Sequence, residues 1–120
     1  MTDTVTDSPH RLIASNRVEG TAVYNRAGER LGSIAHFMVD KVSGKADYAV
    51  LSFGGLFGLG SDHYPLPWPS LKYNTDLGGY QTMVTVDQIK GAPSVAAGGD
   101  FNWSDKTRTK GLDDYYGAAI

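Results

Sequence analysis

At 120 residues the chain has room for one domain, and 41% apolar residues with a net charge of −2 favour folding over disorder. Eleven basic against 13 acidic residues leave no long-range field to draw it to nucleic acid or an anionic membrane, and having no cysteine removes disulfides, thiolate nucleophiles and cysteine metal sites. Fifteen glycines and five prolines favour many turns and short strands over long helices.

Residues 1–10 read as a polar tail ending at Pro9, without the basic start and apolar stretch of a secretory signal. No apolar run approaches the ~18 residues of a membrane span, and together these features predict a cytoplasmic protein. A first strand is expected near Ala22 to Tyr24, followed by a turn at Arg26 to Glu29 in which Gly28 supplies a positive φ. A second strand runs from about Leu31 to Asp40, and Ser43-Gly44 turns it into a third, Asp47 to Phe53.

Simple alternation makes both faces of these two strands apolar. Tyr48 and Val50 oppose Ala49, Leu51 and Phe53; Ile34 and Met38 oppose Ala35, Phe37 and Val39. A half-solvated sheet alternates apolar with polar, so the outer face here is expected to be covered as well. The loop GGLFGLG (54–60) leads to a short segment, Tyr64 to Trp68, whose two prolines cannot donate to a ladder and so mark an edge strand or an extended arm. Leu71 to Tyr73, a turn over Asn74 to Gly79, and Tyr80 to Val86 complete the β part, with Tyr80, Thr82, Val84 and Val86 on one face. Thr85 and Gln88 have capping-box spacing and open one helical turn, which Gly91 and Pro93 stop. Residues 91–100 are a small-residue linker, and a short helix is expected from Ser104 to Tyr116.

Four stretches, taken in order, resemble the PRC-barrel family: VYNRAGERLGSI (23–34), FMVDKVSGKADYAVLSFGG (37–55), LGSDHYPLPWPSL (59–71) and VDQIKGAP (86–93). The resemblance implies an all-β fold, a small, strongly bent barrel of about six strands, here with a short C-terminal helical segment. It divides the chain into a tail (1–10), the barrel domain (11–93), and a linker with a helix (94–120) that packs on the barrel or on a partner protomer. Family relatives include the cytoplasmic part of the photosynthetic reaction centre H subunit and the C-terminal domain of a ribosome maturation factor. The H subunit's membrane helix and the maturation factor's N-terminal barrel have no counterpart here, so the chain resembles the stand-alone bacterial members.

Candidate sites are few. The glycine loop lacks the following helix and the lysine of familiar phosphate loops, and Gly54 and Gly55 suit a sharp barrel corner. His10, His36 and His63 are scattered, with no metal-ligand spacing. No serine sits in a nucleophile elbow, and Asp40 reads as a strand terminator before it reads as a general acid or base. Lys106, Arg108 and Lys110 are spaced by two, so the three do not stack on one helical face.

The remaining candidates are interaction contacts. Phe57 and Leu59 lie at the glycine-loop tip, and Trp68, Trp103, Tyr115 and Tyr116 either anchor an interface or cap the chain's own barrel. The reading that follows is a non-enzymatic interaction or scaffold module with no catalytic residue, metal or cofactor. It partners itself, as a homodimer that covers the doubly apolar strands, and a further, unidentified protein. A ribosome- or RNA-processing accessory factor is one alternative, although the near-neutral charge disfavours direct nucleic-acid contact. A small-molecule binder at an oligomer interface is the other.

Overall fold

The computed structural model describes residues 12–54, 58–96 and 99–117. A single helical turn, α1 (Ser15–Val18), precedes six strands: β1 (Ala22–Tyr24), β2 (Arg30–Val39), β3 (Ala46–Ser52), β4 (His63–Pro67), β5 (Leu71–Asn74) and β6 (Gly79–Thr82). A 3-10 turn (Trp68–Ser70) joins β4 to β5, and two helices follow, α2 (Val86–Lys90) and α3 (Lys106–Tyr116). Among the described residues no helix is long and apolar enough to cross a membrane.

The strands form one sheet in the order β4-β3-β2-β1-β6-β5, antiparallel throughout except for the parallel β1–β6 pair. Chain connectivity forces this sheet to curl. Laid flat, six strands would separate the two edges by about 24 Å, five spacings of roughly 4.8 Å. Yet β4 and β5 are the edges, and the four residue steps from Pro67 to Leu71 reach at most about 14 Å. The edges must therefore approach each other at one end, which makes the bent half-barrel.

Trp68 sits in that closing turn and fills the gap. Its ring lies 5.9 Å from Phe37 of β2 and 5.5 Å, edge-on, from Tyr80 of β6. Around it the core gathers Val23, Leu31, Ile34, Leu51 and Leu66 from the strands, with Phe53, Val84 and Ile89 from the segments that follow β3 and β6.

Local chemistry sets the turns. Asp40 Oδ1 accepts hydrogen bonds from the Val42 and Ser43 amides, and Gly44, at φ 79°, brings the chain back into β3. These two amides hold the Asp40 carboxyl below the usual carboxylate range. Its role is to terminate the hairpin. The capping box at α2 forms in full: the Thr85 hydroxyl accepts from the Gln88 amide while the Gln88 side chain accepts from the Thr85 amide.

Simple alternation fails in β2. A register shift between Ile34 and His36 makes Ala35 an extra residue, so Ile34 pairs with Leu51 and Phe37 with Ala49, both on the inner face. His36 and Met38 then point outward, opposite Val50 and Tyr48. The bulge thus moves Phe37 into the core with Ile34 and sends His36 to the outer face. The last strand also ends earlier than expected, at Thr82, because residues 83–85 turn away to start α2. The C-terminal helix begins at Lys106, with Asp105 as its cap accepting from the Thr107 amide.

Candidate functional site

The outer face of the sheet carries Tyr48, Val50 and Ser52 of β3, with His36 and Met38 beside them on β2 and His63, Pro65 and Pro67 on β4. This is the face whose apolar side chains demand cover, and the chain supplies that cover itself. Val95 exchanges both backbone hydrogen bonds with His63, at 2.7 and 2.9 Å, extending the sheet beyond β4. The chain then passes over β3, where the Trp103 ring lies 5.1 Å from Tyr48 and 4.6 Å from Phe101.

Helix α3 locks this strap in place. Its Asp113 accepts a 2.7 Å hydrogen bond from the Tyr48 hydroxyl, and Leu112 and Tyr116, four apart, bury one stripe against β4 and the core. Burial, reinforced by the hydrogen bond to Asp113 and its charge, drives the Tyr48 hydroxyl well above its ordinary pKa. Tyr115 points elsewhere, donating a 2.6 Å bond to the Gln88 carbonyl at the end of α2.

Between strap and sheet lies a cleft of about 340 Å³, lined by His36, Val50, His63, Val95, Gly99, Phe101 and Trp103. Val50 is its apolar floor, Phe101 and Trp103 one wall, and the two imidazoles its polar groups. Among the described residues no Asp or Glu lines it. His63 is also opposite Ser52 in the β3–β4 ladder, but no hydrogen bond joins their side chains. Among the described residues no three metal-capable side chains cluster.

The residues singled out from sequence fall into different places. Phe57 lies outside the described residues. Leu59 is not a loop-tip contact: it is 4% exposed, and its carbonyl accepts from the Tyr64 hydroxyl. Tyr116, 1% exposed, is likewise a core side chain and offers nothing to a partner. Trp68 and Trp103 are half-buried and packed within the chain, leaving Tyr115, at 42%, as the open one of the four aromatics. The basic run is exposed and partly engaged by acids, Arg108 with Asp105 and Lys110 with Asp114.

Sequence reasoning missed His36, Val50, Val95 and Phe101 as a group. Their common face depends on the bulge at Ala35 and on where the strap crosses, neither of which has a local signature.

A six-stranded curled sheet, closed at one end by a tryptophan turn, is the framework of a small β-barrel module. A family model, the PRC-barrel domain, matches residues 10–91, about two thirds of the chain. The chain belongs to the PRC-barrel family. No curated protein matches it. The strap and α3 lie beyond the matched residues.

Proposed function

We propose that this chain is a non-catalytic protein-interaction module that pairs with a second copy of itself along β5. The outer face, which in sequence called for a partner's cover, is covered by the strap, so the proposal rests on a different feature: the unequal edges of the sheet. At β4 the edge is closed. His63 is already bonded to Val95, and Pro65 and Pro67, on the same alternation, have no amide to offer. At β5 the Leu71 amide is taken by the Trp68 carbonyl, but beyond it the side away from β6 pairs with no strand among the described residues, and Tyr73 stands beside it, 38% exposed.

A bare strand edge is a template for another strand, and a two-fold pairing satisfies both copies at once. Residues opposite one another across such a pair share a face, so equivalent positions must meet in registers two residues apart. The register centred on Tyr73 sets it against the partner's Tyr73 and keeps Lys72 away from its own equivalent. The edge is only four residues long, so the contact is modest and reversible.

Light scattering at micromolar concentration tests this. The expected mass is about twice 12.9 kDa, and Tyr73→Lys, which places like charges across the two-fold, is expected to return the monomer. A monomeric wild-type chain throughout that range would overturn the proposal.

A further inference from the structure

The cleft between strap and sheet has no role in that pairing, and its chemistry is specific enough to name a ligand class. We propose that it binds a small, flat aromatic carboxylate.

Size comes first. At about 340 Å³ the cleft falls at the lower end of the 300–1,000 Å³ range typical of small-molecule sites, so it suits a ligand of one or two rings. Shape and surface follow. Val50, 2% exposed, gives an apolar floor, and the tilted Phe101 and Trp103 rings give a wall on which an aromatic face or edge packs.

The polar groups fix the rest. Among the described residues neither the His36 nor the His63 ring has a hydrogen-bond or ion-pair partner. Each imidazole offers an N–H donor whether neutral or protonated, and among the described residues the cleft has no carboxylate to take it. The nearest acids in sequence are turned to other tasks: Asp62 accepts from the Ser94 hydroxyl and Asp100 from the Asn102 amide. Imidazole N–H groups with no carboxylate beside them, next to an apolar wall, suit an aromatic ligand that brings its own acceptor.

The two imidazoles do not converge on one point. They lie on β2 and β4, two strand spacings apart and offset by two residues, which separates their Cα atoms by about 12 Å. One ring therefore takes the carboxylate, and the other faces the opposite end of the ligand, where a hydroxyl gives it a partner. 4-Hydroxybenzoate has this pattern and is the probe of choice.

The full chain, titrated with 4-hydroxybenzoate to about 10 mM and followed by NMR, gives the test, since a Kd near 1 mM corresponds to only about 4 kcal/mol and is easily seen. The Trp103 indole N–H and both histidine ring signals are expected to shift together, with Trp68 unmoved. The amide analogue 4-hydroxybenzamide should bind at least about tenfold more weakly, because a charged acceptor makes the stronger hydrogen bond. The double variant His36→Ala/His63→Ala should lose binding by a similar factor while its spectrum keeps its dispersion. Silence at Trp103 up to the highest concentration, equal binding of the amide, or shifts centred on Trp68 would each overturn the proposal, and the wild-type titration decides it even if the variant fails to fold.

Discussion

The Tyr48 hydroxyl donates a 2.7 Å hydrogen bond to Asp113 across 65 residues of sequence, joining the middle of β3 to the helix that ends the described chain. Together with the Tyr48–Trp103 ring contact, this bond holds the strap on the outer face. Tyr48→Phe keeps the ring and removes only the bond, so it should lower stability by about 1 kcal/mol. Asp113→Ala should cost a similar amount. The pair combined should cost less than their sum, because each removes the same bond. Thermal or denaturant unfolding of the three variants checks this; strict additivity would mean that the bond contributes nothing.

Tyr116 presents the opposite case. Its side chain is buried among core residues, and its hydroxyl has no hydrogen-bond partner among the described residues. A buried hydroxyl without a partner costs stability, so Tyr116→Phe should leave the fold as stable or make it more stable by about 1 kcal/mol. A loss of that size in urea unfolding would show that the hydroxyl has a partner after all.

Alkali should unfold the protein through these same tyrosines. Burial raises the hydroxyl pKa values of Tyr48, Tyr64, Tyr80 and Tyr116, with Asp113 adding to the effect at Tyr48. The native state thus keeps protons that the unfolded chain gives up near pH 10, the ordinary tyrosine value. Stability from this source is complete below about pH 10 and falls as pH rises toward the raised native values. Melting temperatures measured from pH 8 to 11 should drop at the upper end, and less steeply in Tyr48→Phe/Tyr116→Phe. A flat profile would contradict the assignment.

Gly32 is required by a close approach. A Cβ built on it would collide with the Ser52 carbonyl oxygen and come within 3.1 Å of the Phe53 ring, both fixed parts of β3 and the core. Backbone atoms cannot step aside without breaking the sheet, so Gly32→Ala should cost about 1–3 kcal/mol, the usual range for overpacking. For a chain this size that is a drop of several degrees in Tm, roughly 4 °C per kcal/mol. Differential scanning calorimetry decides, and an unchanged Tm would show that β2 and β3 can part there.

Much of the barrel was legible because its signals are local. Asp40 with Ser43-Gly44, and Thr85 with Gln88, write their turn and cap within a few residues, and the structure has both. The prolines of β4 also mark it as an edge, which it is. What stayed hidden depends on distant partners. Ala35 has none of the glycine that often marks a bulge, so alternation read through it assigned Phe37 to the face opposite Ile34. Trp68, Trp103 and Tyr116 have the size and aromaticity of interface anchors, and only the curl of the sheet and the path of the strap turn them onto the chain's own barrel. The cleft was illegible for the same reason: its wall and floor come from β2, β3, β4 and the strap at once.

The central claim, that copies of this chain meet along β5, is tested most directly by hydrogen exchange as a function of protein concentration. The outward-directed amides of β5 beyond Leu71, whose own amide is taken by the Trp68 carbonyl, lack a strand partner among the described residues and gain one in the pair. Their protection should rise as concentration increases through the micromolar range, while amides in the β2–β3 ladder keep the same protection throughout. Exchange at β5 that is independent of concentration would contradict the account, as would concentration-dependent protection confined to another part of the surface.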